Sequence, residues 1–500
     1  MPSQKNPSQQ PTQSHLLILK KRNFAIWGSA LLILFLALSF KIPSNSRYHT
    51  ILFPKSILIS HPLKPTIVNR LLGFFSSKQH DMKTPNSKPH YCVLWMAPFL
   101  SGGGYSSEAW SYITALDRDL GNPKFSLAIE QHGDLENLDF WDGLPEKEKN
   151  LANKLYSTEC RMNETVVICH SEPGAWYPPL FQTLPCPPTG YEEPLFVIGR
   201  TMFETDRLNP EHVRRCNQMD SVWVPTDFHV STFVQSGVKP TKVVKMVQPV
   251  DVDFFNPSKY RPMNLPHHGK LILGSDRSNL KGKSKERKEF VFLSIFKWEY
   301  RKGWDVLLKS YLAEFDSSDE VSLYLLTNPY HSESNFGNQI VKLVEDFGLE
   351  KPGNGWAPVY VIDTHIPQFD LPKVYMAADA FVLPSRGEGW GRPLVEAMAM
   401  SVPVIATNWS GPTEFLTEEN GYPLAVDRMS EVAEGPFKGH IWAEPSVNRL
   451  RVLMRHVMSN REEASRKGMQ AREDMVRRFS PEVVAGLVTK QILKIIAENI

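Results

Sequence analysis

The chain has almost no net charge. Its 56 Lys and Arg stand against 54 Asp and Glu, leaving +2 over 500 residues. A polyanionic partner calls for a basic surplus. No basic stripe interleaved with aromatics is present, so nucleic acid is excluded as a partner. The basic run "LKGKSKERKE" (280–289) reads as a solvated loop. Cysteine is scarce: five residues, Cys92, Cys160, Cys169, Cys186 and Cys216. None has the spacing of a zinc site, and the odd count leaves at least one thiol outside any intramolecular disulfide. Repeats of solenoid period are absent.

Long apolar runs are also missing, with one exception. Residues 24–40, "FAIWGSALLILFLALSF", carry no charge. As a helix they reach about 25 Å, enough for a thin bilayer. Lys20, Lys21 and Arg22 precede the run and Lys41 follows it. The positive-inside rule then puts the N-terminus in the cytosol and the remainder in a lumen. "SFKIPS" is a poor cleavage site, so the run reads as an uncleaved single-pass type II anchor. Its short span suits the Golgi or endoplasmic reticulum membrane. Residues 1–23 read as a cytosolic tail and 41–88 as a Ser-, Pro- and Lys-rich stem. In a lumen, disulfides and the sequons at Asn163 and Asn408 become relevant. Asn163 reads as a surface loop and Asn408 as too enclosed for modification.

From about residue 89, short apolar runs alternate with helical segments. Strands are expected at 91–97, 125–130, 165–170, 195–199, 221–226 and 242–247. A polar joint follows at 261–288. The alternation then restarts with strands at 289–296, 322–327, 359–363, 380–384 and 403–407. Nearly continuous apolar strands between helices predict a parallel sheet covered on both faces. The expectation is an α/β chain with two doubly wound, Rossmann-like domains, 89–260 and 289–479, facing across a cleft. A last helix, 480–500, carries an apolar stripe at Val483, Val484, Leu487, Ile492, Ile495 and Ile496, suited to packing back on the first domain.

Chemistry-bearing residues concentrate in "SRGEGWGRPLVEAMAM" (385–400). Gly387, Gly389 and Gly391 let a backbone approach a ligand closely. Pro393 suits a helix start, whose free N–H groups favour phosphate or a sugar hydroxyl. Glu396 follows among Leu394, Val395, Ala397, Met398 and Ala399, where an unpaired carboxylate is costly. Vicinal hydroxyls of a ribose are expected as its partner. Glu388, in the loop, is expected to be free for another part of the same ligand. Lys297 and Lys302 flank a second strand-to-helix turn. Cations at a helix N-terminus oppose its dipole, which favours an anionic ligand there.

"EGWGRPLVE" and its surrounding strand, loop and helix resemble the donor-binding signature of the family-4 retaining glycosyltransferases, which have the GT-B fold. The resemblance is sharp at 294–308 and 380–416 and organisational over 89–497. It implies that Glu388 contacts the donor sugar and Glu396 the nucleotide ribose. It implies that Lys302-Gly303 and Lys297 hold the donor diphosphate. Lys297 stands where the family has Arg, giving a point charge in place of a fork. Ser401 stands where the family has Gly, and Pro412 replaces a loop Gly. Gly389, Gly391, Arg392, Gly103 and Gly104 join the donor-side set. His170, ending a strand, would lie near the reacting sugar as a catalytic residue. Arg200 and Glu204 are acceptor-side candidates.

The function implied is a glycosyltransferase, of the hexosyltransferase kind. It would move a sugar from a nucleotide sugar to a hydroxyl acceptor with retention of configuration. No cofactor and no metal are required, since lysines and backbone N–H groups can stabilise the leaving diphosphate. The alternatives are another GT-B chemistry, an epimerase or phosphorylase, and a degenerate membrane-anchored sugar-binding or scaffold protein.

Overall fold

Two largely parallel sheets organise the described residues. The computed structural model describes residues 91–119, 125–275, 289–329 and 335–499. The expected tail, anchor and stem lie outside the described residues, as do 276–288 of the expected joint. Among the described residues, no helix is long and apolar enough to cross a membrane.

The first sheet comprises β1 (Cys92–Ala97), β2 (Ser126–Gln131), β3 (Thr165–His170), β4 (Phe196–Arg200), β5 (Ser221–Val224) and β6 (Val243–Lys245). Its order is β2-β1-β3-β4-β5-β6, and every pairing is parallel. β1 and β3 are buried along their full lengths. Distinct apolar clusters cover the two faces. One holds Val93, Trp95 and Ile168; the other holds Leu94, Met96 and Val167. Alternate residues of one strand thus serve opposite faces.

The second sheet comprises β7 (Lys270–Leu273), β8 (Phe290–Trp298), β9 (Val321–Pro329), β10 (Val359–Ile362), β11 (Ala380–Leu383), β12 (Val404–Thr407) and β13 (Tyr422–Leu424). Its order is β13-β12-β11-β8-β9-β10-β7, parallel except for β7 on the edge. β7 corrects the reading of 261–288 as a linker. "KLIL" is only four residues long inside a polar stretch, too short to show periodicity. A hairpin, β14 (Val426–Glu431) and β15 (Ile441–Pro445), was also not expected from the sequence.

Strand order decides where a ligand can bind. The chain passes from β1 to β2 on one side, then resumes with β3 on the other. It likewise lays β9 and β10 on one side of β8 and β11 on the other. Crevices open beyond the carboxyl ends of strands at such reversals. The candidate residues lie at or beyond the carboxyl ends of β1, β3, β4, β8 and β11.

The described residues belong to one unit, 85–500. Helix α1 (Gly104–Asp119) follows β1, α2 (Trp304–Glu314) follows β8 and α3 (Arg392–Ala399) follows β11. Two long helices, α4 (Arg461–Phe479) and α5 (Pro481–Glu498), end the chain. α5 returns to the first half: Val484, Val488, Ile492, Ile495 and Ile496 share a core with Ala109, Ile113 and Leu116 of α1. Val483 and Leu487 of the expected stripe remain exposed. Disulfides join Cys92 to Cys160 and Cys169 to Cys186, and Cys216 is a buried free thiol. Asn163 is exposed; Asn408 is exposed too, because it sits just past the end of β12 and not inside it.

Candidate active site

The site begins with a contact that only glycine permits. Gly303 has φ +68°, and a Cβ there would stand 1.9 Å from the carbonyl oxygen of Pro384. The turn after β8 therefore abuts the loop after β11. Arg386 N–H donates to the Arg301 carbonyl at 2.7 Å, and Arg301 Nη1 donates to the Gly387 carbonyl at 2.7 Å. Arg386 is buried and clamps Asp305 with two 2.8 Å bonds, while its Nε donates to Glu444. Such a buried bidentate pair fixes both loops. Nothing in the sequence reading singled out Arg301 or Arg386.

Glu388 is 6% exposed and is not free in the loop as expected. Lys302 Nζ donates to its two oxygens at 2.7 and 2.8 Å, and Ser385 Oγ donates at 2.6 Å. Arg301 Nη1 lies 3.5 Å away. The Glu388 N–H is capped by Ser410 Oγ at 2.9 Å. Burial pushes the carboxyl up, but Lys302 and Arg301 together with these hydrogen bonds hold it below the usual range. The anion expected beside Lys302 is thus, in this structure, a protein carboxylate.

Glu396 also has protein partners. Tyr375 donates its hydroxyl to Oε2 at 2.8 Å, and Arg392 Nε lies 3.9 Å from Oε1. The ribose was inferred from the lack of a partner in the local sequence; Tyr375 arrives from another helix, 21 positions earlier. Burial keeps the Glu396 carboxyl above its ordinary range, against Arg392 and Tyr375. The helix starts at Arg392, one residue before Pro393, with Gly391 at φ +99° as its cap. Arg392 reaches the first half, where Nη2 donates to Ser111 Oγ at 3.0 Å. Among the described residues, its Nε and Nη1 are buried without hydrogen-bond partners.

The first half meets the glycine loop directly. A Cβ on Gly387 would lie 2.0 Å from the Glu204 carbonyl oxygen, and one on Gly389 would lie 2.6 Å from Met202 Sδ. The Glu204 carboxylate lies 3.7 Å from Arg301. Gly103 adjoins Asp134, and Gly104, which opens α1, has nothing within 4 Å of a would-be Cβ. Burial raises the Asp134 carboxyl, and the charge of Lys297, from the opposite half, lowers it. The charge of Lys297 thus acts on the carboxylate beside the glycine turn.

His170 lies beneath this surface and is fully buried. Its Nδ1 accepts from Trp95 Nε1 at 3.0 Å, so the neutral ring carries its proton on Nε2. Nε2 stands 3.1 Å from Glu108 Oε2. Burial holds the imidazole below its ordinary pKa. Arg200 is buried with it, donating to Glu108 from Nε at 2.8 Å and from Nη2 at 2.5 Å. His170 and Arg200, expected near the reacting sugar and on the acceptor side, are thus buried together on Glu108, with Arg200 and Glu108 as the charged pair. Burial raises the Glu108 carboxyl, but Arg200 and His170 outweigh it and bring it to about 2. Strand-end position located His170 and Arg200, but the packing of α1, which delivers Glu108, is not written in any local pattern.

Residues 287–435 match the family model described as Glycosyl transferases group 1. Mannosylfructose-phosphate synthase of Agrobacterium fabrum is 31% identical over 124 residues, 24% of this chain and 26% of that protein. D-inositol 3-phosphate glycosyltransferase of Corynebacterium jeikeium is 26% identical over 243 residues, 46% of this chain and 50% of that protein. The match thus spans half the length, or less, of these curated relatives. Among solved structures, Anabaena HepE in complex with UDP and glucose superposes with a TM-score of 0.53 at 15% identity, covering 81% of this chain and all of that one. The likeness establishes a GT-B-like α/β fold.

Proposed function

We propose that the chain is a glycosyltransferase that takes its sugar from a nucleoside diphosphate sugar. The carrying observation is the Lys302–Glu388 pair, locked at the reversal between β8 and β11 and beside the glycine loop that caps α3. A diphosphate arriving there meets Lys302, Arg301, Lys297 and the N-terminus of α3. These groups offset the charge that develops on the leaving group. Metal independence is proposed on the same ground. Once Lys302 turns to phosphate, Glu388 is released to accept hydrogen bonds from sugar hydroxyls. Glu396, steadied by Tyr375 and Arg392, accepts from the ribose.

The polarity of the site supports transfer with retention by front-face departure of the diphosphate, of the family-4 kind. Glu388 is held as an anion by cations and so suits binding better than nucleophilic attack. The acceptor is a hydroxyl of a glycan or other molecule, entering from the side of Gly103, Gly104 and Glu204. The two disulfides favour an oxidising compartment. With the apolar run at 24–40, they support a membrane-anchored enzyme of the Golgi or endoplasmic reticulum with its catalytic part in the lumen.

Calorimetry of the full chain with UDP, GDP and their sugars, without added divalent ions, tests the reading. Binding of one pair, followed by transfer or slow hydrolysis, is the expected result. No binding of any of them would sink it.

A further inference from the structure

Gln248 follows β6 on the segment that leaves the first half. It is 1% exposed. Among the described residues, its Nε2 donates only to the thioether of Met202, at 3.3 Å, and its Oε1 has no partner. A thioether is a weak acceptor. Leaving a buried amide so poorly paired is costly. The backbone on either side is nonetheless firmly held. Tyr112 donates its hydroxyl to the Val247 carbonyl at 2.6 Å, and Val250 N–H donates to Phe479 at 2.9 Å. The amide is therefore kept in place by a rigid support without being satisfied by it.

Its position gives the reason. Met202 stands between Gln248 and the glycine loop, its sulfur pressed against Gly389, next to Glu388. Methionine is unbranched and readily changes rotamer. Resting on the proposed function, we infer that Gln248 is a donor-sugar-binding residue contributed by the first half, and that Met202 covers it until the donor arrives. When Met202 swings off Gly389, the carboxamide faces the same space as Glu388. An amide can accept from one sugar hydroxyl and donate to another, which the Glu388 carboxylate cannot. Glu388 and Gln248 would then grip the sugar from opposite halves, and closure of the cleft would be read by the sugar and not by the nucleotide.

The test is Gln248→Met in the full chain, with binding of UDP-glucose and GDP-mannose compared against UDP and GDP. Methionine has a similar volume and removes the unpaired amide, so the melting temperature should be unchanged or higher. The preferred nucleotide sugar should bind about tenfold more weakly, the loss of a hydrogen bond worth about 1.4 kcal/mol. Its nucleoside diphosphate should bind within about twofold of wild type. Equal binding of the sugar nucleotide by variant and wild type overturns the inference while leaving the proposed function intact. A lower melting temperature also overturns it, because the amide would then be structural. Failure of the wild type to bind any of the four ligands overturns both.

Discussion

Lys302 Nζ sits 2.7 and 2.8 Å from the two carboxylate oxygens of Glu388, although 86 residues separate them in the chain. The pair is nearly buried, with the two side chains 14% and 7% exposed. Breaking one side of such a pair costs more than the pair contributes, because the remaining charge is stranded. Lys302→Met should lower stability by about 2 kcal/mol, and Glu388→Gln by a similar amount. The double variant should lose less than the sum by about 1 kcal/mol or more in urea unfolding. Additive losses would show that the contact is incidental. Both single variants should lower turnover by about a hundredfold or more.

Tyr375 donates to Glu396 in its charged form, and this pulls the carboxyl down against burial. Tyr375→Phe removes that pull, so the folded-state pKa rises further. In the proposed function, nucleotide-sugar binding needs the carboxylate. The acid limb of a kcat/KM–pH profile should therefore shift to higher pH in Tyr375→Phe. A limb that stays in place would remove Glu396 from the donor site.

Gly387 packs where a Cβ would lie 2.0 Å from the Glu204 carbonyl oxygen of the opposite half. Gly387→Ala forces the two halves apart without touching either core. The variant should fold, show a larger radius by small-angle scattering, and lose activity by about tenfold or more, as a 1 Å misplacement can cost about a hundredfold. An unchanged radius with full activity would show that the contact is not needed.

Glu108 links its pKa to acid stability. Folding depresses the carboxyl to about 2 from 4.5, burial being outweighed by Arg200 and His170. Below pH 4.5 the unfolded state binds a proton that the folded state refuses, so stability falls with falling pH. The contribution is fully present above about pH 4.5 and is lost as pH approaches 2. Glu108→Gln should cost about 3–5 kcal/mol at neutral pH and flatten the acid decline between pH 4.5 and 2. An unchanged acid slope in urea unfolding would contradict the assignment.

Ser401 follows the C-cap of α3 with φ +60°. A left-handed residue other than glycine costs about 1–2 kcal/mol, part of which glycine gives back as chain entropy. Ser401→Gly should raise stability by about 0.5–1 kcal/mol with activity unchanged, as read from thermal melting.

Much of the architecture was legible in residue order. Eleven strands were expected near where they occur, since short apolar runs between helical segments leave few alternatives to covered parallel sheets. β7, β13 and the β14–β15 hairpin were missed because these segments are short, half-exposed or polar. Glu388, Glu396, Lys302 and the glycine loop stood out because glycine spacing and misplaced charge are local signals. Tyr375, Arg301, Arg386, Met202 and Gln248 did not, since each matters only through a neighbour distant in sequence.

By itself the sequence determined two doubly wound halves and a loop–helix unit able to hold an anion, because strand period, glycine and the helix terminus are local properties of the chain. Only the tertiary structure decided the pairing. It gave Glu388 to Lys302 and Glu396 to Tyr375. It buried His170 and Arg200 on Glu108, and it set Met202 against Gly389. Burial lowers the dielectric around each charge, so a carboxylate's behaviour follows from which cation or hydroxyl the fold brings within about 3 Å. That distance is fixed by sheet order and the packing of the two halves.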